Sequence, residues 1–175
     1  KTSTSTRGKP TNVDNFLGLQ YATVNQRFEP ATLKYEKSST TIDATEFGFV
    51  CVQANHNIQM SEDCLYLNVY RPSTSYKNKD LLPVMVWIHG GGFNNGAGSD
   101  YDPTNLVASQ SVIVVTINYR LGPLGFLMKD NTGKGGMNGI SDQILSLQWV
   151  KENIHSFGGD SNQVTIFGES AGSLS

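Results

Sequence analysis

Little in this sequence pulls it toward a special environment. Charge of neither sign prevails: 13 Lys and Arg stand against 15 Asp and Glu, a formal net charge of −2. That balance removes the electrostatic reason to expect nucleic acid or an anionic membrane surface as partner. No apolar run is long enough to span a bilayer. No Asn-X-Ser/Thr sequon occurs, which argues against a glycosylated secreted protein. No metal-ligand cluster, cofactor fingerprint, internal repeat or low-complexity tract is present. The opening KTSTSTRGKP lacks an apolar leader segment, but the chain also opens without Met, so this decides nothing about compartment. Cysteine is scarce. Cys51 and Cys64 stand thirteen positions apart, where a bridge would contribute about 3 kcal/mol in the chain-entropy view. Two reduced, partly buried thiols fit equally well.

What is present suffices for one domain: 175 residues with ordinary apolar content. Residues 1–15 read as an irregular entry with a possible edge hairpin, FLGLQYA (16–22) as a short apolar run, and 36–63 as polar loop. LYLNVYRP (65–72) alternates, with Leu65, Leu67 and Val69 on one face and Tyr66, Asn68 and Tyr70 on the other. That period implies a strand ended by Pro72, followed by a polar turn over 73–80. Val84–Ile88, SVIVVTINYR (111–120) and QVTIFG (163–168) are continuous apolar runs of the kind that form strands buried on both faces. A loop and a short helix fit between the first two. SDQILSLQWVKENIHSFGG (141–159) carries apolar residues at 144, 147, 150 and 154, near helical spacing. Ser141 or Asp142 is the expected cap at its start and Gly158–Gly159 at its end. Strand, loop, strand, helix, strand implies an α/β fold with a mostly parallel sheet.

Chemistry concentrates where these strands end. Directly after VTIF the chain reads Gly-Glu-Ser-Ala-Gly. Small residues two positions either side of Ser170 allow a sharp strand-to-helix turn that exposes its hydroxyl. A serine hydroxyl is a poor nucleophile until a base takes its proton. After VMVWI comes His89-Gly90-Gly91-Gly92-Phe93, whose unshielded backbone N–H groups suit a developing oxyanion. A phosphate-cradling loop is the rival, but the Gly-Lys-Ser/Thr ending is missing. Together the two elements predict one oxyanion hole from the N–H groups of Gly91, Gly92 and Ala171, with Ser170 as nucleophile. Phe93 and Glu169 are candidate substrate-binding positions, although a structural carboxylate is the preferred reading of Glu169.

These motifs resemble the type-B carboxylesterase/lipase family, which includes cholinesterases and several lipases. EDCLYLNVYRP (62–72), PVMVWIHGGGF (83–93), NYRLGPLGFL (118–127), NGISDQILSLQWVKENIHSFGGD (138–160) and VTIFGESAG (164–172) match its blocks in order. Gln20 stands where the family's Gly-Ile-Pro-Tyr-Ala block has Pro, and Ser161 where Pro follows Gly-Gly-Asp. Both departures are expected to fall in loops.

The resemblance implies an α/β-hydrolase fold, with residues 1–175 as the N-terminal portion of one catalytic domain. It implies a hydrolase of small carboxylic esters acting through an acyl-enzyme on Ser170, without cofactor or metal. A non-catalytic adhesion or binding member of the same fold is the alternative. It also implies a Cys51–Cys64 disulfide and two structural ion pairs, Arg27–Glu62 and Arg120–Asp142. A bridge favours an extracellular setting, and free thiols a cytoplasmic one. The family's acid and histidine follow the nucleophile, as do most residues shaping its pockets. His56, His89 and His155 accordingly read as loop or surface histidines rather than the base. Oligomeric state is not readable.

Overall fold

The computed structural model describes residues 2–4, 12–34, 41–54, 56–73, 80–128 and 135–175. Its centre is a mixed six-stranded sheet. The contributing strands are β1 (Thr2–Thr4), β2 (Asn12–Gln20), β7 (Tyr66–Pro72), β8 (Leu82–Ile88), β9 (Ile113–Ile117) and β10 (Gly159–Gly168), in the order β1-β2-β7-β9-β8-β10. The first three pairings are antiparallel, and β9-β8-β10 are parallel. Two short ribbons flank the sheet: β3 (Ala22–Thr23) with β4 (Thr32–Leu33), and β5 (Val50–Cys51) with β6 (Met60–Ser61). Helices α1 (Thr104–Gln110), α2 (Gly122–Phe126), α3 (Asn138–Asn153) and α4 (Ala171–Leu174) complete the chain. β1 and β2 form the expected edge pairing at the entry. The residues joining them, and most of the turn expected over 73–80, lie outside the described residues. Among the described residues, no helix is long and apolar enough to cross a membrane.

The alternation read in 65–72 sorts side chains between two cores. Leu65, Leu67 and Val69 join Val84, Val86, Ile88, Ile113, Val115 and Ile117 beneath Trp149, Val150 and Ile154 of the α3 side. Tyr70 faces the other way and packs with Val13, Leu17, Val107 and Val114 under α1. Covering both faces of a sheet removes most apolar surface from water, at about 25 cal/mol per Å2, and makes this a layered α/β fold.

Three expectations need correction. Gln20 and Ser161 are not in loops: Gln20 pairs with Tyr66 at the end of β2, and Ser161 lies in the irregular stretch of β10 between Gly159 and Val164. β10 is not buried on both faces. It pairs with β8 alone, as the sheet's edge in this chain, and Ile166 is 52% exposed. α3 begins at Asn138 after Met137, so Ser141 and Asp142 lie inside it, not at its cap. Its inward face is Asn138, Gly139, Asp142, Gln143, Ser146, Trp149 and Val150, while Ile144 points to solvent. Polar contacts choose this face. The Arg120 carbonyl and the Phe126 ring lie so close to Gly139 that a Cβ there would overlap both. One turn later Asp142 receives Arg120 Nε and Nη2, each at 2.8 Å, and the Arg120 backbone N–H at 3.1 Å. The helical stretch does end at Gly158, in the left-handed conformation that glycine favours.

Burial raises the Asp142 carboxyl above its ordinary range, and its hydrogen bonds to Arg120 offset only part of that rise. Arg120 also donates to the Glu29 carbonyl at 2.6 Å, so one guanidinium joins the entry segment, the end of β9 and α3. Arg27 and Glu62 also pair, at 2.7 and 2.8 Å from Nε to the two carboxylate oxygens. Their exposure leaves that bond a small share of stability. Cys51 and Cys64 are bridged, both buried against the first core.

Removing only one partner of the buried pair leaves an uncompensated charge. Asp142→Ala is expected to cost about 3–5 kcal/mol in urea unfolding of the natural protein. The double apolar replacement Arg120→Met with Asp142→Leu should cost less.

Candidate active site

β8 and β10 are parallel neighbours in which Ile88 lies opposite Gly168. The loops that leave their C-terminal ends therefore start side by side at one level of the sheet, where ligands of open α/β sheets bind. One loop carries His89–Phe93 and the other Glu169–Gly172. They touch backbone to backbone. A Cβ on Gly172 would overlap the Ile88 and His89 carbonyl oxygens, and one on Gly168 would meet the Ile88 oxygen and the Gly172 carbonyl. A Cβ on Gly90 would run into the Glu169 carboxylate and the Ser170 Cβ. Glycine at these positions is what lets the two loops meet.

Ser170 sits at the tip of the turn with φ 53° and ψ −121°, a combination costing an L-residue of order 1–3 kcal/mol. The turn is held from behind. Gly172 N–H donates to the Glu169 carbonyl at 2.9 Å, and Ser173 donates to the Ser170 carbonyl through N–H at 3.0 Å and through Oγ at 2.7 Å. Ser170 is exposed, and α4 begins at the next residue.

The glycine loop is also held in an unusual backbone shape, with φ of +101° at Gly91, +60° at Gly92 and +60° at Phe93. The Gly91 carbonyl accepts from the Asn94 and Asn95 N–H groups at 3.0 and 3.2 Å, and the Phe93 carbonyl from Gly122 at 2.7 Å. The Phe93 ring lies 5.0 Å from that of Phe126. Open space surrounds the side of Gly92 where a Cβ would stand. Among the described residues, no acceptor takes the N–H of Gly91, Gly92 or Ala171.

His89 is fully buried behind this loop, not at the surface as its sequence context suggests. Nδ1–H donates to the Gly90 carbonyl at 2.8 Å, and its ring stacks on Tyr119 at 4.4 Å. The Tyr119 hydroxyl donates to the His89 carbonyl at 2.8 Å. Burial pushes that hydroxyl up to about 12, so it stays a donor. Burial also pushes the His89 imidazole below its ordinary value. Burial, then the Glu169 and Asp100 charges, raise Tyr101, whose ring packs on Trp87. No histidine serves Ser170 here. His56 uses Nε2 on Asp100 at 3.0 Å and Nδ1 on the Ile58 N–H at 3.1 Å. His89 Nε2 has no partner among the described residues, and His155 lies on the helical turn before Gly158.

Gln53 was not legible as part of the site. Its Nε2 donates to the Gly96 carbonyl at 3.0 Å, and its Oε1 accepts from the Gly96 N–H at 2.8 Å. A glutamine in a polar loop carries no pattern that would mark it.

A sequence model of the carboxylesterase family matches residues 1–175. The chain is 50% identical over 177 residues to a para-nitrobenzyl esterase of Bacillus subtilis (strain 168), covering 93% of this chain and 36% of that protein. It is 43% identical over 185 residues to a cocaine esterase of Oryctolagus cuniculus, covering 96% and 34%. A solved structure titled thermophylic pNB esterase superposes with a TM-score of 0.83 at 42% identity, covering 97% of this chain and 37% of that one. The chain thus spans about a third of the length of the curated relatives it matches.

Three outcomes follow from the glycines and the buried imidazole. Gly172→Ala should cost about 3 kcal/mol in chemical unfolding, through overpacking, although alanine is otherwise the better helix residue. Gly92→Ala, strained only in φ, should cost about 1 kcal/mol. In an NMR titration His89 should be less than half protonated at pH 6.5, the value at which a free imidazole is half charged.

Proposed function

The chain belongs to the carboxylesterase family, and from that premise we propose that it carries the nucleophile and the oxyanion-binding backbone of a carboxylic ester hydrolase. The observation that carries this reading is the contact of Gly90 with Glu169 and Ser170. It brings the glycine loop against Ser170, which is held exposed at the tip of a strained turn.

In the proposed reaction Ser170 Oγ attacks the ester carbonyl carbon while its proton passes to a histidine base. In α/β-hydrolases that histidine and its acidic partner follow the nucleophile in chain order. The carbonyl electrons move onto oxygen, and the N–H groups of Gly91, Gly92 and Ala171 receive the resulting charge. Each such donor contributes roughly 3–4 kcal/mol to the transition state. Collapse of the tetrahedral intermediate expels the alcohol, protonated by the base, and leaves an acyl-enzyme. Water, deprotonated by the same base, attacks the acyl carbon, releases the acid and restores Ser170. Glu169 and Phe93 take supporting places: the carboxylate braces the turn against Gly90, and the ring fixes the peptide after the glycines through Phe126. The substrate is a carboxylic ester of modest size. The binding-module alternative has no feature of this site in its favour, since Ser170 and all three glycines are present.

In the natural protein, Ser170→Ala is expected to abolish both covalent labelling by an organophosphonate and hydrolysis of p-nitrophenyl acetate. Labelling of the alanine variant at the wild-type rate would assign the nucleophile elsewhere.

A further inference from the structure

The disulfide-closed loop between Cys51 and Cys64 reaches over to the segment behind the glycine loop and grips it at two points. Gln53 clamps Gly96 on both its backbone groups, through bonds of 3.0 and 2.8 Å, and ties itself to the Cys51 carbonyl at 3.0 Å. His56 Nε2 donates to Asp100 Oδ1 at 3.0 Å, and the other Asp100 oxygen receives the Ala97 N–H at 2.9 Å. His56 Nδ1 accepts from Ile58, which leaves Nε2 as the protonated nitrogen and fixes it as the donor to Asp100.

The gripped segment is the backing of the proposed oxyanion hole. A Cβ on Gly96 would strike the His89 ring and the Gly90 carbonyl, so Gly96 lies flat against both. Gly91 is crowded in the same way by Asn95, next in the chain. Asn95 and Asn94 in turn donate to the Gly91 carbonyl. A shift of Gly96 is therefore passed to His89, Gly90 and Gly91 without a soft side chain between them. Gly91 and Gly92 have positive φ and open space beside Gly92, so packing on the substrate side does not hold them.

We propose that Gln53 and His56 are positioning residues, which set the aim of the Gly91 and Gly92 N–H groups by holding residues 96–100 against the glycine loop. This rests on the ester-hydrolase reading of the site. Neither residue touches substrate. Both act from a loop that the Cys51–Cys64 bridge anchors to the core. Displacing donors by a fraction of an ångström weakens only what they bind in the transition state, so kcat and kcat/KM fall together.

The test uses the natural full chain, with p-nitrophenyl acetate turnover, organophosphonate labelling of Ser170 and thermal unfolding measured on each variant. Gln53→Ala and His56→Ala are expected to lower kcat by about tenfold to a hundredfold, with KM within about twofold and labelling slowed in parallel. His56→Gln, which places an amide N–H near the lost imidazole donor, should recover most of the rate. Gln59→Ala, an exposed change in the same loop, serves as control and should leave kcat as it is. Wild-type kcat in folded Gln53→Ala and His56→Ala would overturn the proposal, as would a rise in KM at constant kcat. If Gln53→Ala fails to fold, the His56→Ala and His56→Gln pair decides: equal rates in the two overturn it. Failure of the wild-type protein to label at Ser170 would remove the hydrolase reading, and this proposal with it.

Discussion

The site depends on one register: Ile88 opposite Gly168 on two parallel strands. Once those residues are paired, the chain segments that follow leave at the same height and must either diverge or touch. They touch, because Gly90, Gly168 and Gly172 offer no Cβ at the approach. The rest of the arrangement serves that contact. The apolar runs of β8 and β9 bury β8, one of the two strands that set the register. The Arg120–Asp142 bond sets α3 against the end of β9. Tyr119 and His89 form a stacked wall behind the glycine loop.

Strain and support are matched at both loops. Ser170 and Phe93 hold positive φ without being glycine, a state that persists only where neighbouring bonds over-determine it. At Ser170 those bonds come from the first residues of α4. At Phe93 they come from the Gly122 N–H and the Phe126 ring. The N–H groups proposed for the oxyanion are spared this duty, while nearby carbonyls are spent on holding the loop. That division is what electrostatic preorganisation asks of a backbone: donors fixed in place before charge appears.

Much of this was legible in the sequence, for physical reasons. β7 announced itself because its two faces enter different cores, so alternation survived as Leu67 and Val69 against Tyr70. The serine turn and the glycine run were legible because each needs residue types that few other structures require. The face of α3 was not legible. Its orientation follows from a salt bridge and a glycine contact reaching Arg120, and an apolar stripe that includes exposed Ile144 says nothing about either. The exposure of β10 was hidden because an apolar run reports composition, while burial depends on neighbours across the sheet. His89 gave no sign of burial, since a histidine beside glycines reads as loop. The contacts of Gln53 and His56 were not legible because their partners are a backbone group and a carboxylate more than forty positions away.

The central claim is that the serine turn and the glycine loop form one reactive centre. The most direct measurement is a crystal structure of the natural protein after reaction with an organophosphonate. The account requires phosphorus bonded to Ser170 Oγ, with its non-bridging oxygen within hydrogen-bond reach of the Gly91, Gly92 and Ala171 N–H groups. Phosphorus on another residue would contradict it, as would an oxygen turned to solvent while those three N–H groups stay unoccupied.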